Sequence, residues 1–408
     1  MQYVRSPSCP VTIAFVFTNP RHHLEMMAPV ARLLEARGIR TRLVSLAELR
    51  GFDTPNDRGL VRVIPVNPRK QLARLRPRAR ATSPGGAPAA PPGDTSLARR
   101  LAQQAVWTLL RPRLWACLGD ARVVVVPNDA VYPYIELLAL LDARGVRTAL
   151  LQEGIRFPLP LPATRHRYGG GGTDLVCAWG AGSRDYFLAE GTPAATVRIT
   201  GSPRADVVDL ERWRPAGTAL RERLGLRSAP IVFCSNPVEL QGYGTEATKL
   251  GLFAAWLEAS APLLAARDLE VLVKPHPQEN AQAFARVAAT TAATGRVRVI
   301  PDEPTFAALA ISRAAVVLTS TVGLEALMLG LPLAQLVLPG HAPAFEYVSA
   351  GVAMALTAGD MPAQMQQLLD APPCGDAGAF IERHLFDRGH ASEHVATALA
   401  ALLAQPRV

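Results

Sequence analysis

What the chain lacks narrows the field first. Five cysteines in 408 residues, at positions 9, 117, 177, 234 and 374, form no Cys-x-x-Cys pair. A disulfide-framed secreted scaffold and the common zinc spacings are thereby excluded, and the cysteines read as small core residues of a reducing compartment. Aromatic residues make up 6% and charged residues 19%, against 49% hydrophobic, which describes a globular chain. No apolar run approaches the roughly 18–20 residues of a membrane-spanning helix. The N-terminal stretch MQYVRSPSCPVTIAFVF enters a short β-like run without a cleavable signal pattern, so a cytoplasmic location is expected. There is no Asp-x-Asp and no second His/Cys/Asp cluster at ligand spacing, so metal-independent chemistry is expected. Acidic residues are nearly missing between 68 and 113, where Asp94 stands alone against Arg69, Lys70, Arg74, Arg76, Arg78, Arg80, Arg99, Arg100, Arg111 and Arg113. The net charge of +9 is otherwise arginine spread through the chain, so no nucleic-acid partner is expected. This cluster, beside Trp107, Leu109, Leu110, Leu114 and Trp115, suits peripheral contact with an anionic membrane at its inner face; the other reading is a solvated basic loop.

What is present is a regular alternation. A chain of this length favours two domains of about 150–200 residues. Strand-like runs at 11–18, 40–46, 60–66, 121–127, 147–152, 174–180 and 197–201 alternate with helix-like runs, and a second series follows at 230–236, 269–275, 297–301, 314–320, 333–339 and 352–356. That is the pattern of parallel βαβ units. The expected fold is α/β: two doubly wound Rossmann-like domains with a ligand cleft between them. The first spans 1–205, with a basic, flexible insertion at about 68–115 that contains the Pro/Gly/Ala-rich stretch 81–96. The second spans 206–388, and a helix in 389–408 crosses back to the first. The glycine-rich stretch 167–174 reads as a mobile loop.

Two motifs carry the functional reading. Val-Leu-Val-Lys-Pro-His-Pro at 271–277 and Thr-Ser-Thr-Val-Gly-Leu-Glu-Ala at 319–326 each end an apolar run, and open α/β sheets place ligands at the carboxyl ends of their strands. Ser320, Thr321 and Gly323 would offer hydroxyls and N–H groups at a helix start, which suits a phosphate. His276 would stabilise a departing phosphate, with Lys274 adding positive charge. Glu325 reads either as a hydrogen-bond acceptor for a sugar or ribose hydroxyl or as the acidic end of a capping box. Ser235 and Asn236 close the second series' first strand and join this donor set; Cys234 has little support as a nucleophile, and Arg204 is a weaker phosphate candidate. In the first domain Gln152-Glu153-Gly154 ends a strand, and Glu153 is the preferred general base. Arg21, His22 and His23 occupy the turn after the first strand and would bind the acceptor, with His22 or His23 the rival base.

Taken together, WGAGSRDYFLAEG at 179–191, ITGSPRAD at 199–206, KPHP at 274–277 and STVGLEALMLGLP at 320–332 resemble the glycosyltransferase-B superfamily. The resemblance is strongest to bacterial capsule and surface-polysaccharide enzymes of the sialyltransferase, polysialyltransferase and Kdo-transferase kind. It implies a base from an acidic pair followed by Gly, a His-Pro touching the donor phosphate, and a Ser-Ser or Ser-Thr pair binding it again: here Glu153, His276, and Ser320 with Thr321. Gln152 stands where an acidic residue is common. Glycerophosphate polymerases, also similar, usually carry His-Gly where this chain has Glu153-Gly154.

The expected function is therefore an inverting glycosyltransferase. Its co-substrate is a CMP-, CDP- or UDP-linked sugar and it needs no cofactor; its acceptor is a saccharide or a lipid-linked glycan. The rivals are a nucleotide-sugar 2-epimerase of the same fold and a non-catalytic glycan- or lipid-binding module.

Overall fold

A computed structural model describes residues 13–54, 61–64, 97–156 and 167–405, with the side chains of 97–100 excepted. Two parallel sheets organise them. The first holds β1 (Ile13–Phe17), β2 (Thr41–Ser45), β3 (Val61–Val63), β4 (Val123–Val126), β5 (Arg147–Leu151), β6 (Leu175–Ala178) and β7 (Val197–Ile199), in the order β3-β2-β1-β4-β5-β6-β7. The second holds β8 (Ile231–Cys234), β9 (Val271–Lys274), β10 (Val297–Val299), β11 (Ala314–Val317), β12 (Leu333–Leu336) and β13 (Met354–Leu356), in the order β10-β9-β8-β11-β12-β13. Each strand falls inside one of the sequence's apolar runs. In both sheets the order reverses beside the first strand, between β1 and β4 and between β8 and β11, and a crevice opens outside the carboxyl ends of the strands at such a point.

The central strands β1, β4, β8 and β11 are apolar on both faces because helices cover both, as parallel sheets require. Residues of alternate parity divide between two cores. Ile13, Phe15, Val123, Val125 and Leu151 pack with Met26, Met27, Val30 and Leu34 of the helix His22–Ala36. Ala14, Val16, Val124, Val126 and Leu150 pack with Trp107, Leu110 and Leu114 of the helix Leu97–Leu118. The second sheet repeats the arrangement, with Phe233, Val271 and Val316 on one side and Val232, Leu272 and Val317 on the other.

The last helix, Ala391–Ala404, returns to the first sheet, where Val395, Ala396, Leu399 and Leu402 join the core beneath the helix His22–Ala36. Helical spacing puts these four on one stripe. Its start is held by Asp206, whose carboxylate accepts the N–H groups of Gly389 (3.0 Å), Ala391 (3.0 Å) and Ser392 (2.8 Å). An anion there is favourable because it meets the unpaired amides of the first turn. Gly201, just after β7, has φ +80°, and an added Cβ would stand 2.5 Å from the Phe386 carbonyl. Only glycine lets the returning chain pass this close.

Two expectations need correction. Arg167 to Asp174 is an anchored turn, because Tyr168 is buried and the Asp129 carboxylate accepts the N–H groups of Gly169 (2.9 Å) and Gly171 (2.7 Å). Of the apolar residues set beside the basic cluster, Trp107, Leu110 and Leu114 face the core, whereas Leu109 is 71% exposed. Arg111 and Arg113 are exposed on the same helix. Arg69, Lys70, Arg74, Arg76, Arg78 and Arg80, the stretch 81–96 and the N-terminal segment with Cys9 lie outside the described residues, as do the side chains of Arg99 and Arg100. No helix among the described residues is long and apolar enough to cross a membrane.

Candidate active site

The two crevices face each other, and the first-domain candidates converge at one of them. After β1 the chain makes an Asx turn: Asn19 Oδ1 accepts the N–H of Arg21 (3.1 Å) and of His22 (3.2 Å), which starts the helix and fixes both histidines at its first turn. His23, 4% exposed, puts Nε2 at 2.7 Å from Glu153 Oε2. Its Nδ1 accepts the Asn19 N–H at 3.2 Å. The hydrogen bonds therefore assign the proton to Nε2, which donates to the carboxylate. The other oxygen, Oε1, accepts from Asn128 Nδ2 at 2.7 Å. Burial pushes the Glu153 carboxyl up, but the hydrogen bonds from His23 and the Asn128 amide outweigh it and hold it down to about 2. The Glu153 side chain keeps 25% of its surface open. Arg21 is exposed, and its backbone N–H is tied to the turn.

Gln152 points the other way. It is fully buried, giving Nε2 to Gly154 O (2.8 Å) and Ser183 Oγ (2.8 Å) and accepting the Trp179 N–H at Oε1 (2.8 Å). A carboxylate has no hydrogen to give Gly154 O, so the amide is what this position requires. The departure from an acidic pair is thus a packing matter on the side of the strand away from Glu153.

In the second domain His276 follows β9. Its Nδ1 accepts the Gln278 N–H at 3.2 Å, which leaves Nε2 as the donor. Burial, then the charges of Lys274 and Lys249, push its pKa down to about 4. Lys274 is buried with Nζ on the Pro301 carbonyl (2.7 Å), and burial lowers its pKa. The ammonium braces the strand end and still lends charge to His276. Beneath this loop Glu279 accepts the His276 N–H at Oε2 (2.7 Å) and the Ser235 hydroxyl at Oε1 (2.9 Å). Lys249, 1% exposed, pairs with Glu279 and with Glu239 (3.0 Å). Burial raises the Glu279 pKa despite Lys249. Asn236 gives its amide to Thr319 O (2.6 Å) and Oγ1 (3.0 Å), which closes the crevice floor between β8 and β11. Cys234 lies inside the core, where burial pushes its thiol up to about 12, and it is no nucleophile.

The helix start after β11 differs from expectation. The helix Val322–Met328 is seven residues long, and its first amides are already used. Val322 N–H donates to Ser320 Oγ (3.2 Å), Gly323 N–H to Ser320 O (3.2 Å) and Leu324 N–H to Tyr347 Oη (2.9 Å). Gly323 serves close packing, because a Cβ there would meet the Tyr347 ring at 2.8 Å. What reaches the first domain is a side chain: Thr321 Oγ1 accepts the Ile155 N–H at 3.2 Å. Glu325 makes no capping box. It is 6% exposed and pairs with Arg204, which also binds Glu25 at 2.8 Å, so one guanidinium joins a carboxylate from each domain. Burial raises the Glu325 pKa, and its Oε2 has no hydrogen-bond partner among the described residues.

Sequence reasoning passed over Asn128, Tyr168, Lys249, Glu279 and Tyr347. Asn128 was findable, since it follows β4 at the strand-order reversal. The others are polar partners buried by tertiary contact and give no local signal. Among the described residues no three His, Cys, Asp or Glu side chains gather as a metal site.

A family model described as capsule polysaccharide biosynthesis protein matches residues 252–345, which hold both second-domain motifs. No curated protein matches. Solved structures match over nearly the whole chain. The UDP-GlcNAc 2-epimerase from Neisseria meningitidis bound to UDP-GlcNAc is 16% identical, covers 96% of this chain and 100% of its own, and has a TM-score of 0.60. The enzyme from Methanocaldococcus jannaschii, in complex with UDP-GlcNAc and UDP, is 12% identical over 96% and 99%, with a TM-score of 0.65. A glycosyltransferase from Rickettsia africae is 10% identical over 97% and 98%, with a TM-score of 0.53. At these identities the likeness is one of architecture: the chain has the two-domain fold of the glycosyltransferase-B type.

Proposed function

We propose that the protein is a glycosyltransferase of surface-polysaccharide synthesis, moving a sugar from a nucleotide-activated donor to a saccharide or lipid-linked acceptor. The observation that carries this is the meeting of the two motif sets, where Ile155, two residues after Glu153, bonds to Thr321 from the opposite domain. The second domain holds the donor. His276 Nε2–H and the Ser320 and Thr321 hydroxyls face the phosphate that leaves, with Lys274 on the Pro301 carbonyl adding positive charge behind His276, and fixed donors aimed at developing charge lower the barrier. The acceptor lies against His22, His23, Arg21 and Glu153, and displacement inverts the anomeric centre without a metal. Arg111, Arg113 and the exposed Leu109 support work at the inner face of a membrane. The protein-family match over both motifs supports the polysaccharide context.

A second reading, nucleotide-sugar 2-epimerase, is favoured by the whole-chain likeness to the two epimerases. That chemistry needs carboxylates free to exchange a proton at the sugar, and here Glu153 holds two donors while Glu325 holds Arg204.

Titration calorimetry with CMP, CDP and UDP, followed by incubation of each nucleotide sugar with and without acceptor in deuterated water, separates the readings. Transfer that requires acceptor is expected. Deuterium entering the donor sugar without acceptor would establish the epimerase, and absence of nucleotide binding would leave a non-catalytic module.

A further inference from the structure

Three groups stand where β1 and β5 end, and their hydrogen bonds decide which can receive a proton. Each Glu153 oxygen already holds a donor, His23 Nε2–H on one and Asn128 Nδ2–H on the other, both at 2.7 Å. Two such bonds stabilise the anion and make it a weak base. His23 is spent at both nitrogens, one accepting from the Asn19 N–H and one donating to Glu153. His22 differs. Its backbone N–H is tied to Asn19 Oδ1, which aims the residue, and its ring sits edge-on to His23 with centroids 5.8 Å apart. No hydrogen bond or ion pair engages that ring among the described residues.

Its surroundings agree. Burial, then Arg204 and His23, hold His22 well below its ordinary 6.5, with Glu153 opposing and His276 adding to the depression. The ring thus meets fields from its own helix, from the end of β5, from the segment after β7 and, across the cleft, from the end of β9. An unprotonated imidazole with no partner, beside a fixed carboxylate, is the arrangement a general base needs.

We infer that His22 takes the proton of the acceptor hydroxyl, and that Glu153, oriented by His23 and Asn128, is the fixed charge that stabilises the resulting imidazolium. The inference rests on the glycosyltransferase reading. The acceptor O–H bond breaks as its oxygen forms a bond to the anomeric carbon. The bond from that carbon to the phosphate oxygen breaks, its electron pair leaves with the nucleotide, and the proton remains on His22 until solvent takes it.

Chemical rescue tests this. His22→Ala should lower transfer at least about 10²-fold, the usual size of a general-base contribution. Added imidazole should restore transfer in proportion to its free-base fraction, and a residue of purely structural importance would not respond so. His22→Gln, which keeps polarity and bulk, should be equally slow, with the acid limb of the pH–rate profile gone. Transfer by both variants within threefold of wild type, or rescue of Glu153→Ala by formate with no rescue of His22→Ala by imidazole, would overturn the assignment in favour of the carboxylate. If the unmodified protein transfers from none of the CMP-, CDP- or UDP-sugars, the underlying reading fails and the assignment falls with it.

Discussion

The Ile155 N–H donates to Thr321 Oγ1 at 3.2 Å, and this bond sets the first-domain strand end that carries Glu153 directly against the second-domain turn that carries Ser320. A hydroxyl in that place can serve both the opposite domain and a bound phosphate. Thr321→Val keeps the volume and removes the oxygen. Nucleotide Kd, measured by calorimetry, should rise about tenfold, the ~1.4 kcal/mol of one polar contact. An unchanged Kd would exclude Thr321 from the donor site.

Acid should weaken the fold in two steps. His276 has its pKa pushed down to about 4 from 6.5, so the unfolded chain binds the extra proton, and this stability is full above 6.5 and lost as pH falls toward 4. Glu153, held near 2 against an ordinary 4.5, adds stability that is full above 4.5 and disappears toward 2. Urea midpoints between pH 7 and pH 4 should fall, and His276→Gln should reduce the slope in that range. Parallel slopes for the two proteins would contradict the unprotonated, half-buried imidazole.

Lys249 is the charge beneath the His276 loop. Lys249→Met leaves Glu279 buried without a cation, and removing one member of a buried pair costs about 3–5 kcal/mol. Because Glu279 also holds the His276 N–H and the Ser235 hydroxyl, the KM for donor should rise as well. Stability within about 1 kcal/mol of wild type would show that the network does not brace the loop.

Gly323→Ala probes the contact with Tyr347. The new methyl would stand 2.8 Å from an aromatic ring whose hydroxyl also accepts the Leu324 N–H and donates to Ser320 O, so the ring cannot swing away freely. A loss of about 1–3 kcal/mol in urea unfolding is expected. A neutral result would mean that the ring has room.

Arg204→Lys should behave as a damaging change despite its conserved charge. A single ammonium cannot reproduce the fork that spans Glu25 and Glu325. The midpoint of thermal unfolding should drop by several degrees, as about 1–2 kcal/mol would produce. An unshifted melt would show that the bridge between domains is dispensable.

Much of this was legible in the chain. Each strand-like run delivered a strand, because residues buried on both faces of a parallel sheet are mostly apolar, and edge strands such as β3, β7 and β10 carry polar exceptions. The returning helix showed itself through Val395, Leu399 and Leu402 at helical spacing. The glycine-rich turn misled, because its anchor, Asp129, lies forty residues earlier in the chain. The helix start after β11 misled for a similar reason: its amides were counted as open, and Tyr347 and Ser320 had taken them.

The sequence by itself determined which segments become strands and helices and that His276, Glu153 and the Ser320-Thr321 pair stand at strand ends, since periodicity and chain order are local properties. Tertiary structure alone decided which of those groups are available. Whether Glu153 is an open base or a capped anion depends on His23 and Asn128, and whether Lys274 faces a ligand or Pro301 depends on how the sheet closes. Hydrogen-bond partners that are distant in sequence set basicity and orientation, because both depend on what fills the space around a side chain once the strands have paired.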